Sequence, residues 1–215
     1  MGGVIEWTEQ AWNLLCLHSD RILEVVGLII GLAYLYWEFR ADWKVWVAGL
    51  IMPAISLFVY WNAGLYADFG IDIYYLLAAL YGFWCWRWGS GQKSHTLPIT
   101  HTPRPMWLCL SAVFVLIYAG IVYVLIHFTD STVPYWDALN TSLSIIGMWM
   151  LARKWVEQWL VWLLVDAIST GLYIYKEIYF YAVLYFIYTI IAWFGYREWK
   201  RKMKRTLVLR KGRLS

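Results

Sequence analysis

The sequence predicts an all-α polytopic membrane protein with seven transmembrane helices, forming two parallel three-helix bundles joined by a linker helix. Three observations carry this: recurrent apolar stretches, a one-sided distribution of lysine and arginine, and an internal repeat. Of the 215 residues, 62% are hydrophobic and 15% charged, whereas a soluble domain carries about 25% charged residues. Aromatic residues reach 20%, with 17 tryptophans. An apolar stretch of roughly 20 residues is what a helix needs to cross ~30 Å of hydrocarbon.

Residues 1–21 come first and read as an interfacial segment held by Trp7 and Trp12. The segment contains Glu6 and Glu9 and lacks the basic start of a secretory signal, so it is expected to stay on the mature chain. Spans over 22–39, 45–63 and 70–88 make the first bundle, 22–88. A polar loop and a linker helix over 106–128 fill 89–135. Spans over 136–152, 155–175 and 178–196 make the second bundle, 136–196, and 197–215 is a basic tail.

Orientation follows from charge. All but Arg21 and Lys176 of the 18 lysines and arginines fall on one side of this layout, in the loops near Arg40, Lys44, Arg87, Lys93, Arg104, Arg153 and Lys154 and in the tail. The opposite loops hold Asp20, Asp68, Asp130, Asp137 and Glu177. Basic loops stay cytoplasmic, so the N-terminus is expected outside and the C-terminus inside. Seven spans satisfy that parity. The net charge of +4 therefore reflects cytoplasmic loops and a tail beside anionic lipid, and nucleic acid is not an expected partner.

The chain also resembles itself. Gly64-Leu65-Tyr66 recurs as Gly171-Leu172-Tyr173, and Tyr74, Tyr81 and Trp86 recur at the same offset as Tyr181, Tyr188 and Trp193. Ile29-Ile30-Gly31 matches Ile145-Ile146-Gly147, with Trp43 and Trp46 following the first as Trp159 and Trp162 follow the second. Spans one to three thus match spans five to seven. The fourth span is the extra crossing that makes the two repeats parallel, a transporter plan with substrate held near the midplane between bundles.

Asp166 is the residue this plan must explain. It sits in WLVWLLVDAISTGLY, roughly 16 Å along span six at 1.5 Å per residue. A carboxylate there costs about 2.5–3.5 kcal/mol and almost always faces a bundle interior or an aqueous cavity. Helical spacing puts Trp155, Trp159, Trp162, Asp166, Ser169 and Tyr173 on one face. Trp155, near the cytoplasmic end, reads as interface packing. Trp159 and Trp162 continue the stripe to the acid, and indole faces bind cations and flat rings. The expected ligand is flat, aromatic and cationic.

Other polar residues extend the candidate site. Asn140 and Ser144 share a face of span five with Gly147, Asn62 lies near the outer end of span two, and Tyr188 belongs to the repeat. Glu38 is the acid of span one, where local pairing with Arg40 competes with a binding role. Asp72 reads as a wet acid at the start of span three, and Gly27 with Gly31 as a close-packing pair. Cys16, Cys85 and Cys109 show no disulfide or metal spacing, and His95 and His101 read as solvated loop residues. Neither a metal nor a cofactor is expected.

The segments YWNAGLYADFGI, YYLLAALYGFWCWRWG, LSIIGMWMLARKWVEQWLVWLLVD and GLYIYKEIYF, with AWFGYREWK further on, resemble the Pnu family of bacterial vitamin transporters, from Glu24 to Trp199. The resemblance implies a SWEET-like fold, facilitated diffusion by alternating access, and trapping of the vitamin by a cytoplasmic kinase. It implies residence in the bacterial inner membrane; a homo-oligomer, for example a trimer, is the expected assembly. Nicotinamide riboside members of the family carry Trp-x-x-Trp-x-x-x-Asn in span six, which Trp159 and Trp162 match. Asp166 departs from it. An aspartate only accepts hydrogen bonds and carries charge, which favours thiamine as the expected substrate, with nicotinamide riboside as the alternative and riboflavin third. No phosphate-cradling GxxxxGK[ST] loop occurs. An intramembrane enzyme would need a nucleophile–base pair or metal cluster that the sequence does not supply, and a purely structural subunit leaves Asp166 unexplained. Pro53 in span two is a candidate hinge.

Overall fold

The computed structural model describes residues 29–63, 66–89 and 97–211. The expected interfacial segment over 1–21, together with Cys16, Gly27 and His95, lies outside them. Among the described residues the structure is helical: α1 over 29–40, α2 Lys44–Ala63, α3 Tyr66–Trp88, α4 Arg104–Phe128, α5 Pro134–Ala152, α6 Gln158–Tyr175 and α7 Tyr179–Lys211. Four of them, α2, α3, α4 and α7, are long and apolar enough to cross a membrane by length and composition alone. The other two fully described helices, α5 and α6, hold 19 and 18 residues and carry Asn140, Ser142, Ser144, Asp166 and Ser169, which dilute their apolar character.

The chain divides into two compact units, with the boundary inside α3 after Leu76. In the first, α1 ends at Glu38–Arg40 and the chain reverses through Ala41, a non-glycine residue at φ 57°. Left-handed backbone costs an L-residue about 1–2 kcal/mol. Hydrogen bonds from Ala41 N to Glu38 O and from Asp42 N to Trp37 O, both 2.9 Å, close the turn. The Asp42 carboxylate then accepts from Lys44 N at 3.1 Å, satisfying a free donor at the start of α2. Val45, Trp46 and Ala48 face the core. Pro53 lies inside α2.

In the second unit, α4 packs on α5, α5 on α6 and α6 on α7. Leu110, Ile146, Met150 and Trp155 form the α4–α5 core, with Met106, Phe114 and Val161 against it. Leu108 and Leu116 on α4 are 79% and 73% exposed, an apolar surface that lipid solvates at no cost. The α5–α6 turn again contains a left-handed non-glycine residue, Lys154 at φ 56°, and the α6–α7 turn a third, Glu177 at φ 58°. Ala41 and Lys154 both follow the first helix of their repeat, α1 and α5, although they are offset by three residues in the sequence alignment of the two halves.

Lys154 is buried at 4% exposure. Its ammonium lies 4.2 Å from the centre of the Trp86 ring, and Trp86 Nε1 donates to Leu151 O and Ala152 O at 3.2 and 3.1 Å. One indole therefore caps the open carbonyls at the end of α5 and faces the cation beside them.

The segment before α4 is pinned to the same turn. Thr100 N donates to Lys154 O and Val156 N donates to Thr100 O, at 3.2 and 2.9 Å. Glu157 accepts from His101 Nδ1 at 2.6 Å, and from Thr102 N and Oγ1 at 2.8 and 2.9 Å. His101 is thus not merely solvated: it has a carboxylate partner that lies 56 residues away, which sequence proximity does not reveal.

Two further expectations are corrected. Asp72 lies in the second turn of α3, half-buried, because α3 begins at Tyr66 and not near residue 70. α7 does not stop near 196 but continues as one helix to Lys211, since its charged continuation keeps good helix formers.

Candidate functional site

Asp166 stands in the middle of α6, about 12 Å along the axis from Gln158 at 1.5 Å per residue. It is 8% exposed, and its backbone carbonyl accepts from Thr170 Oγ1 at 2.8 Å. One turn further on, Ser169 Oγ accepts from Asn140 Nδ2 at 3.1 Å, tying α5 to α6. Ser144 Oγ donates to Asn140 O at 2.9 Å, holding the α5 turn that presents the amide. Asn140 Oδ1 is buried with no hydrogen-bond partner among the described residues.

The third wall comes from α7. Tyr188 and Tyr185 lie close enough to Asp166 to feel its charge. Tyr185 stacks on Tyr173 at 5.2 Å between ring centres and meets Tyr188 edge-on at 5.7 Å. Asp166, Asn140, Ser144, Ser169 and Tyr188 thus form one polar patch with an aromatic flank, contributed by α5, α6 and α7.

The two expected tryptophans differ. Trp159 is 2% exposed, edge-on to Trp199 at 5.8 Å, and lies flat against Gly195 of α7. A Cβ at Gly195 would come within 2.6 Å of the ring, so only glycine admits the indole there. Trp162 rests on Gly147 of α5, where a Cβ would sit 3.3 Å from it, and remains half-buried. Trp159 is held as core; Trp162 keeps a face available. Both Nε1 donors are buried without a partner among the described residues. Trp155 belongs to the α4–α5 core, consistent with its packing role.

Gln158 is the residue the sequence reading missed. It is fully buried, and among the described residues neither its amide nitrogen nor its oxygen has a hydrogen-bond partner. Its position one helical turn before Trp162 was the available signal. Unpaired amides and indoles at such depth cost about 1–3 kcal/mol each, so their concentration around α6 marks a place prepared for another polar group.

Glu38 and Asn62 belong to the first unit. Glu38 is buried at 3% exposure, whereas Asn62 is exposed. Glu38 lies beside the turn that starts α2, and Asn62 is about 27 Å along that helix, so the two stand at opposite ends. Arg40 donates to the Tyr36 hydroxyl at 2.8 Å.

These features define a helical multi-pass membrane protein with a polar patch inside a helix bundle. The chain belongs to the nicotinamide mononucleotide transporter family, whose model matches residues 21–201. It is similar to the nicotinamide riboside transporter PnuC of Escherichia coli, 26% identical over 201 residues covering 82% of this chain and 84% of that one. It is also similar to the riboflavin/roseoflavin transporter RibM of Streptomyces davaonensis, 28% identical over 190 residues, with coverages of 85% and 86%. The crystal structure of the vitamin B3 transporter PnuC superposes with a TM-score of 0.63 at 19% identity, covering 84% of this chain and 81% of that one. The fold and the family are those of transporters, not enzymes. The relatives named here carry nicotinamide riboside or riboflavin, so the expectation of thiamine gives way to its alternative.

Proposed function

We propose that the chain takes up a vitamin, nicotinamide riboside, across the bacterial inner membrane by facilitated diffusion with alternating access. The buried Asp166 amid Asn140, Ser169 and Tyr188 is the observation that supports this most. The pyridinium of nicotinamide riboside is cationic, and a carboxylate complements it. The carboxamide N–H and ribose hydroxyls donate to Asp166 and to the free Asn140 Oδ1. Trp162 supplies a flat face. The Asn140 Oδ1 acceptor and the Trp162 donor gain partners on binding, which offsets their desolvation.

The rest of the reading extends the family resemblance. Bundles over 22–88 and 136–196 joined through 89–135 form a SWEET-like pair, with the N-terminus outside and the C-terminus cytoplasmic. The protein assembles as a homo-oligomer, a trimer being the working stoichiometry, and a cytoplasmic kinase phosphorylates the vitamin and prevents its return. Isothermal titration of purified protein with nicotinamide riboside, thiamine and riboflavin tests the assignment. Tightest binding of nicotinamide riboside is expected. Tighter thiamine binding would restore the reading that an acceptor-only side chain at 166 selects an amine donor.

A further inference from the structure

The unbroken α7 is too long for its membrane crossing, and the excess is patterned. Its 33 residues span about 50 Å, some 20 Å more than the hydrocarbon core. Measured from Tyr179, Arg197 falls at about 27 Å, within snorkelling reach of the far edge of the ~30 Å hydrocarbon. Arg201 falls at about 33 Å in the headgroup layer, and Lys204 and Arg205 at its outer side.

Side chains sort by face along this stretch. Ala192, Gly195, Trp199 and Met203 are buried against the protein. On another face a cavity of about 530 Å³ is lined by Arg197, Lys200, Arg201, Lys204 and Arg205. Trp193 and Tyr196 close its membrane-proximal end, Trp193 being 48% exposed. Tyr196 lies under the Lys200 ammonium, 5.3 Å from the ring centre. Glu198, the one acid in the sequence of α7, pairs with Arg201. Five cations on one face, with a single acid among them, leave a formal excess of positive charge that attracts anions.

We propose that this face of α7 is a binding site for the phosphate of an anionic phospholipid, with Arg197, Lys200 and Lys204 on the headgroup and Trp193 against its glycerol and upper acyl chains. Depth selects lipid over a soluble phosphate: the groove opens where an indole meets the first cations, the arrangement that the membrane interface favours. The assignment is independent of which vitamin the transporter carries.

The test uses full-length protein in detergent, titrated with short-chain phosphatidylglycerol, short-chain phosphatidylcholine or glycerol phosphate, with the melting temperature as readout. Phosphatidylglycerol should stabilise the parent saturably, phosphatidylcholine should not, and glycerol phosphate should need at least about tenfold higher concentration because it lacks the apolar contacts. The triple variant Arg197→Gln, Lys200→Gln, Lys204→Gln should weaken phosphatidylglycerol at least about tenfold. A cooperative melt of the lipid-free variant at a temperature close to that of the parent serves as its folding control. Should the variant fail to fold, salt raised from about 50 to 300 mM must weaken phosphatidylglycerol binding to the parent. Equal responses to the two lipids, an unaffected variant, or salt-independence would overturn the proposal. Glycerol phosphate binding as tightly as phosphatidylglycerol would reassign the site to soluble phosphate.

Discussion

Replacing Asp166 by Asn keeps the side-chain volume, removes the charge and turns one acceptor oxygen into a donor amide. The perturbation falls on a side chain that is 8% exposed in the middle of α6. A hydrogen bond to a charged group contributes about 1.5–3 kcal/mol. The exchange restores the asparagine of the family's nicotinamide riboside pattern. On the proposed reading this chain uses the charge of Asp166 instead, so nicotinamide riboside should weaken by roughly tenfold to a hundredfold at 1.4 kcal/mol per decade. Tighter binding would mean that the asparagine selects that vitamin. Asn140 Nδ2 is a donor committed to Ser169, 3.1 Å away, and cannot stand in for a lost acceptor. Isothermal titration of parent and variant in the same detergent measures the difference, with the melting temperature as folding control. A well-folded Asp166→Asn protein that binds nicotinamide riboside like the parent would refute the reasoning and leave Asp166 a structural acid.

Other expectations are simpler to state. Trp162→Ala removes the half-buried indole and should weaken ligand by about 1–3 kcal/mol through lost stacking and cation–π contact, read by the same titration. Gly195→Ala drives a methyl group into Trp159 and should destabilise the fold by about 1–3 kcal/mol through overpacking, seen as a lower melting temperature; an unchanged melt would mean that the indole has room to move. Burial alone would raise the Glu157 carboxyl, but the hydrogen bonds from His101 and Thr102 outweigh it and hold the group below its ordinary value. A depressed carboxylate stabilises the fold above the unfolded value of about 4.3 and loses that contribution as pH falls through the folded one. The stability gap between the parent and Glu157→Gln should therefore close in acid, and a pH-independent gap would contradict the assignment. Cysteine at Thr132 should react with an impermeant thiol reagent from outside intact cells, and cysteine at Thr100 only after the membrane is opened.

Much of the helix layout was legible because apolar length is a local property. The expected spans over 45–63 and 106–128 lie within two residues of α2 and α4. The start of α6 moved from 155 to Gln158 because Trp155 is drawn into the α4–α5 core by contacts the sequence does not announce. The extension of α7 was invisible to the same argument: a basic helix and a basic coil have the same hydropathy. Asp166 stood out as an acid in an apolar run. Tyr185 did not, since one more aromatic in a tyrosine-rich span carries no signal until Tyr173 is found stacked on it. The split between Trp159 and Trp162 turned on the glycines opposite them, Gly195 and Gly147, which only packing can pair.

The continuity of α7 makes it a lever. Tyr188 beside Asp166 and Arg205 at the far end are separated by about 25 Å of uninterrupted helix at 1.5 Å per residue, with no proline between them to absorb a bend. A rotation of about 5° around the level of Asp166 would sweep the Arg205 end through about 2 Å over that arm. At the proposed site, a small tilt of α7 accompanying a shift of Tyr188 would be magnified at the basic end. The same rigid rod works in reverse, so whatever restrains that end sets the stiffness with which the α7 wall yields to its cargo.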